Sequence, residues 1–201
     1  MSGTYSDIYK ILDGIKEFGG LSPEHVAKQI HKLPEAESVD RVKFLLERCK
    51  DKVVLHVGCL GPLHAELIKG ARRVYGIDKE ASNGHQDYYQ VDLDREDLPL
   101  LQDVDLVLCG EVLEHLSNPG RFLDGLRNYG KETIITVPSA FSEVGYSWIR
   151  RGTENVNKDH VAYYSWRTLK TLVERHGYEV RQFYWYGGKP GVSEGLIMVV
   201  R

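Results

Sequence analysis

Glu111, Glu114 and His115 stand in the segment GEVLEHL, and a second histidine, His160, follows in KDHVAYYSWRTL. Positions i, i+3 and i+4 share one face of a helical turn, so two carboxylates and an imidazole are expected to converge there. Carboxylate oxygens with imidazole nitrogens suit Mg²⁺ or a divalent ion of similar hardness, which makes Glu111, Glu114, His115 and His160 a candidate metal set. His115 or His160 alone can also serve as a general base, because imidazole titrates near neutral pH. The plainer alternative is that His115 caps its turn and His160 pins a loop.

A second group of residues points to a nucleotide-like ligand. Gly58, Cys59 and Gly61 follow the apolar run Val53-Val54-Leu55-His56-Val57, and Pro62 can start a helix behind them. Glycines there let the backbone approach a ligand closely. Asp78 ends the next apolar run about twenty residues later, the spacing at which an acid accepts hydrogen bonds from ribose hydroxyls. Asp92 ends a third run, where it can meet the exocyclic amine of a purine. One glycine after a strand is usually just a turn; three strand ends with suitable residues make a ligand site.

The elements that must position these groups alternate. Predicted strands cover Val53–Val57, Arg73–Asp78, Tyr88–Asp92, Val104–Cys109 and Thr133–Val137, with helices between them, including one from Pro119 to Asn128 behind Asn118. A late helix from Trp166 to His176 stops at Gly177, and Tyr178–Tyr186 and Leu196–Arg201 form a terminal antiparallel hairpin. Alternating strands and helices imply a mostly parallel, doubly wound α/β sheet with right-handed crossovers. In such a sheet, ligands bind beyond the carboxyl ends of the strands where strand order reverses. The first fifty residues read as helices. Tyr5, Ile8, Tyr9, Leu12, Ile15 and Phe18 recur at helical spacing, Ser22-Pro23 starts a second helix, and a third spans Val39 to Cys49. We therefore expect residues 1–50 to form a helical cap or substrate lid and residues 51–201 the ligand-binding domain.

The segments VVLHVGCLGPLHAELIKGARRVYGIDKE, YYQVDLD, DVDLVLCGEVLEHLSNPGRFLDGL and ETIITVPS have the order and spacing of class I S-adenosylmethionine-dependent methyltransferases, which the chain resembles over roughly residues 50–200. The resemblance implies a Rossmann-like, mostly parallel seven-stranded sheet with an antiparallel C-terminal hairpin. It implies that Gly58 and Gly61 line the methionine end of the cofactor, that Asp78 holds its ribose, that Asp92 and Leu93 flank the adenine, and that Gly110 and Glu111 lie beside it. His56 stands where such enzymes usually carry an acid and Leu60 where they usually carry glycine; His56 and Cys59 join the candidate cofactor contacts. The ExxEH motif is similar to that of ubiquinone-biosynthesis O-methyltransferases and small-RNA 2′-O-methyltransferases. In those branches it holds a divalent ion, and His160 matches the further histidine of the RNA enzymes. Such an ion would orient paired substrate hydroxyls and lower the pKa of the one attacked. A nicotinamide dehydrogenase is disfavoured, since the loop lacks GxGxxG.

Candidate acceptor contacts are Tyr5, Tyr9, Trp148, Arg150, Arg151 and Tyr163, an aromatic and cationic group suited to a flat, sugar-like or anionic small molecule. The net charge of -3 and pI of about 6.2, without a sustained basic stripe, disfavour nucleic acid. Cys49, Cys59 and Cys109 form no CxxC pair, no apolar run approaches a membrane span, and the start MSGTYSDIYK is polar, so a cytoplasmic enzyme is expected. The expected activity is O-methylation of a small molecule; a catalytically degenerate binding or regulatory protein and an RNA 2′-O-methyltransferase are the alternatives.

Overall fold

The computed structural model describes residues 33–201 apart from 82, 83, 85 and 155. Tyr5, Tyr9 and the first two predicted helices lie outside the described residues. Five runs with β-branched or aliphatic side chains form the middle of a sheet: β2 (Val53–Val57), β3 (Arg73–Asp78), β5 (Leu106–Gly110), β6 (Glu132–Pro138) and β8 (Gly195–Val200). β2, β5 and β8 are buried at every position, as strands covered on both faces must be. β4 (Tyr88–Gln90) and β7 (Val180–Tyr186) extend the sheet on either side. With β1 at Ser38–Val39, the strand order is β1-β7-β8-β6-β5-β2-β3-β4.

Among the described residues eight strands are present where seven are expected. The extra one, β1 (Ser38–Val39), pairs parallel with Trp185 and Tyr186 of β7 and shortens the third predicted helix to α1 (Arg41–Cys49). Asp40 sets that start, its Oδ1 accepting the Lys43 N–H at 2.9 Å. β8 runs antiparallel between β6 and β7, and the remaining pairings are parallel.

Helices cover both faces. Leu45 and Cys49 of α1 and Leu67 of α2 (Pro62–Gly70) pack on Val54, Leu106, Leu108 and Ile134. Phe122, Leu123 and Leu126 of α3 (Pro119–Leu126), with Leu169 and Val173 of α5 (Trp166–Arg175), pack on Leu55, Val57, Val107 and Cys109. Burying a Leu or Phe side chain contributes roughly 1.5–3 kcal/mol, so these two layers supply the main stabilisation. A short helix, α4 (Glu143–Ile149), follows β6. It buries no residue, and its apolar side chains Val144, Tyr146, Trp148 and Ile149 stay partly exposed.

β2 and β5 are neighbours, and the chain proceeds from β2 toward β3 and β4 on one side and from β5 toward β6 on the other. The reversal leaves a crevice beyond their carboxyl ends. That crevice positions the site.

Candidate active site

Turns at four strand ends line a cleft of about 300 Å³, walled by Gly58, Leu60, Asp78, Lys79, Asp92, Leu93, Glu111, Val112 and His115 among others. Gly58 leaves β2 at φ +73°, and a Cβ there would sit 2.5 Å from Val112 Cγ2. Glycine is required on both counts. Asp78 closes β3; its carboxylate accepts the Leu60 N–H at 3.1 Å and the Glu80 N–H at 3.2 Å. These bonds hold the loop after β2 and aim the acid along the cleft wall. Asp92 is braced by the Asp94 N–H at 3.1 Å and by Arg95 at 3.4 Å.

Of the nine residues expected around a cofactor, Gly58, Asp78, Asp92, Leu93 and Glu111 line this cleft, whereas His56, Cys59, Gly61 and Gly110 are not in its lining. His56 lies within β2 on the face covered by α2, 3% exposed, with Nδ1 3.1 Å from His64 Nδ1. Alternation along the strand sends Val53, Leu55 and Val57 to one layer and Val54 and His56 to the other, away from the strand end. Burial and then the neighbouring His64 and Arg41 lower its pKa to about 3, so the ring is neutral. Cys59 is buried, and burial pushes its thiol up to about 12.

The GEVLEHL segment departs from a regular helical turn. Glu111 has φ +56°, and the turn that follows, Leu113–His115, is a 3₁₀ helix. Glu111 and Glu114 therefore do not share a helix face. Glu111 Oε1 accepts hydrogen bonds from Thr136 Oγ1 and the Tyr186 hydroxyl, both at 2.8 Å, and lies 3.9 Å from Arg41. Thr136, Tyr186 and Arg41 are thus functional neighbours that sequence reasoning missed. Thr136 had a faint signal, a polar residue inside ETIITVP; Tyr186 and Arg41 reach the site only through strand pairing and helix packing.

Glu114 points inward. It is 1% exposed, and neither carboxylate oxygen has a hydrogen-bond partner among the described residues. Burial and then the Glu111 charge raise its pKa to about 8. Its backbone carbonyl accepts the N–H groups of Val161 and Ala162 at 2.8 and 3.2 Å, which docks the 157–162 loop on the 3₁₀ turn and delivers His160. The His115 and His160 rings stand edge-to-face with centroids 4.6 Å apart. His115 Nδ1 donates to the Asp159 carbonyl at 3.1 Å. A carbonyl only accepts, so the neutral ring's proton is on Nδ1 and Nε2 keeps its lone pair. Burial and then His115 lower the pKa of His160. One ligand atom each from Glu114, His115 and His160 lie within 4.8 Å of one another.

On the far side of His160 is a second cavity of about 410 Å³, walled by Ser139, Ser142, Tyr146, Ile149, Glu154, Tyr163, Glu194 and His160 among others. Tyr163 lines it. Trp148, Arg150 and Arg151 are not in its lining, and Arg151 lies over the Trp148 ring at 5.7 Å.

Comparison with known proteins identifies the family. The profile of a family described as a methyltransferase domain matches residues 27–182. The chain belongs to that methyltransferase family. It is a class I S-adenosylmethionine-dependent enzyme with a Rossmann-like sheet. The fold is similar to that of a small RNA methyltransferase at TM-score 0.65 and 19% identity, over 86% of this chain and 27% of that one. This methyltransferase thus spans about a quarter of that relative. It is also similar to a methyltransferase from Mesorhizobium loti (TM-score 0.57, 14% identity, 80% of this chain, 95% of that one). A third likeness is to the Burkholderia thailandensis 1,6-didemethyltoxoflavin-N1-methyltransferase bound to its substrate and S-adenosylhomocysteine (TM-score 0.58, 14% identity, 80% and 76%). At these identities the likenesses establish the fold. No curated protein sequence matches significantly. Among the described residues no helix is long and apolar enough to cross a membrane.

Proposed function

We propose that the enzyme methylates a hydroxyl oxygen of a small molecule, with S-adenosylmethionine in the 300 Å³ cleft and the acceptor in the 410 Å³ cavity. The observation that carries this reading is the His115–His160 pair: His115 lines the cleft, His160 lines the cavity, and their rings touch. A methyl group passing between the two spaces crosses beside imidazole nitrogens. In this reading Asp78 accepts from the ribose hydroxyls, Asp92 and Leu93 flank the adenine, and Gly58 gives the methionine end its close approach.

The sulfonium is already activated, so the protein's work is alignment of oxygen, methyl and sulfur, plus removal of one proton. As the O–C bond forms and the S–C bond breaks, the hydroxyl proton goes, when no ion is bound, to the free nitrogen of His115 or to His160. Glu114, an unpartnered buried carboxylate within ligand distance of both imidazoles, fits a divalent ion such as Mg²⁺. Bound there, such an ion supplies Lewis acidity toward a substrate hydroxyl. Glu111, tied to Thr136 and Tyr186, is held beside this trio in the cleft wall and is not one of its three converging side chains. Three free, buried cysteines suit a reducing cytoplasm.

Calorimetry with S-adenosylhomocysteine is expected to show micromolar binding; well-folded protein that binds none would remove the reading. Titration of Mn²⁺ followed by electron paramagnetic resonance is expected to show one site, lost in Glu114→Gln. A second reading, 2′-O-methylation of an RNA end, is favoured by the likeness to the small RNA methyltransferase. It predicts methyl incorporation into an RNA oligonucleotide with free 2′ and 3′ hydroxyls at its 3′ end.

A further inference from the structure

We propose that the second cavity selects its acceptor by charge: Glu154 and Glu194 admit neutral or cationic molecules with a flat apolar body and turn away anions. The proposal rests on the reading of this cavity as the acceptor site. The aromatic and aliphatic wall comes from Tyr146, Tyr163 and Ile149, each partly open to solvent and therefore available to a ligand. At the inner end stands His160, with the unpartnered Glu114 carboxylate close behind it.

The charged groups on the walls are all of one sign. Glu154 accepts the Tyr163 hydroxyl at 3.3 Å, so it is held against the aromatic wall, and Glu194 stands on the loop before β8. Among the described residues lining the cavity there is neither lysine nor arginine. The nearby cation Arg151 is drawn off onto the Trp148 ring. With no divalent ion at Glu114, His115 and His160, a carboxylate or phosphate entering here meets two carboxylates and loses hydration without gaining a counter-charge. An apolar ring with a hydroxyl meets neither obstacle, and an ammonium group gains two partners. This reverses the expectation, drawn from Arg150 and Arg151, that anions would be accommodated.

The test uses the full chain loaded with S-adenosylhomocysteine in excess chelator, and three probes of matched shape: p-hydroxybenzyl alcohol, tyramine and p-hydroxybenzoate. Calorimetry is expected to show the neutral and cationic probes binding, with p-hydroxybenzoate weaker by roughly fivefold or more, the effect of two partly screened carboxylates. In Glu154→Gln/Glu194→Gln the gap should close to about twofold, while S-adenosylhomocysteine affinity stays unchanged. Equal or tighter binding of p-hydroxybenzoate by the unaltered protein would overturn the proposal. So would a gap that survives in the double variant, or failure of all three probes to bind cofactor-loaded protein. Loss of S-adenosylhomocysteine binding itself would instead remove the cofactor reading on which the cavity's assignment stands.

Discussion

Lowering the pH from 7 to 5 places a proton on His56 in the unfolded chain and leaves it neutral in the fold. In the native protein burial holds its pKa near 3, against an ordinary value near 6.5. Between those values the unfolded state binds the extra proton, so stability rises with pH through this window. Above pH 6.5 the group has no effect; below it, stability drains away until about pH 3. At pH 5 the loss is 1.5 pH units at 1.36 kcal/mol each, or about 2 kcal/mol. Burial is the main reason the fold does not accept the charge, and the contact with His64 adds to it. With the two Nδ1 atoms 3.1 Å apart, one must be protonated and the other must offer its lone pair. A further proton on the accepting nitrogen would set two N–H groups against each other. The assay is urea unfolding at pH 7, 6 and 5 for the wild type and for His56→Leu, so that acid effects common to both cancel. His56→Leu costs stability at pH 7, because the His56–His64 hydrogen bond is lost, but that deficit should shrink by about 2 kcal/mol on going to pH 5. Parallel loss of stability in the two proteins would refute the reasoning.

Three further outcomes follow from the geometry. Gly58→Ala places a Cβ 2.5 Å from Val112 Cγ2 in a left-handed backbone; S-adenosylhomocysteine affinity by calorimetry should fall by roughly tenfold or more, since φ > 0 alone costs about 1–2 kcal/mol. Asp78→Ala removes the acceptor of the Leu60 and Glu80 N–H groups as well as the proposed ribose partner. Loss of charge-assisted bonds at about 1.5–3 kcal/mol each should weaken the same ligand at least tenfold. Ser165→Ala deletes the capping box of α5, in which Ser165 and Thr168 satisfy each other's backbone N–H groups. The unfolding free energy should fall by about 1 kcal/mol with cofactor binding unaltered.

Much of this methyltransferase was legible before any coordinates. The strands at Val53, Arg73, Leu106, Glu132 and Gly195 announce themselves because a sheet covered on both faces needs uninterrupted apolar runs, a property of consecutive residues. The cap at Asn118 and the stop at Gly177 are equally local. That Gly58, Asp78, Asp92 and Glu111 share one cleft also follows from strand alternation, since parallel strands in order must bring their carboxyl ends to one edge.

Other features depended on segments far apart in the chain. The sheet gained β1 because Ser38 and Val39 meet β7, nearly 150 residues onward. His160 reaches His115 because Glu114's carbonyl receives the Val161 and Ala162 N–H groups. The left-handed turn at Glu111 gives its carboxylate to Thr136 and Tyr186, and α2 captures His56 through His64. Residue order alone thus determined the central strands, the helix ends and the edge where a ligand can sit, because periodicity and capping act between near neighbours. Which side chains converge there, which are sealed away, and what charge the second cavity presents were decided by tertiary packing. Those outcomes turn on hydrogen bonds and burial between distant segments, which no local pattern encodes.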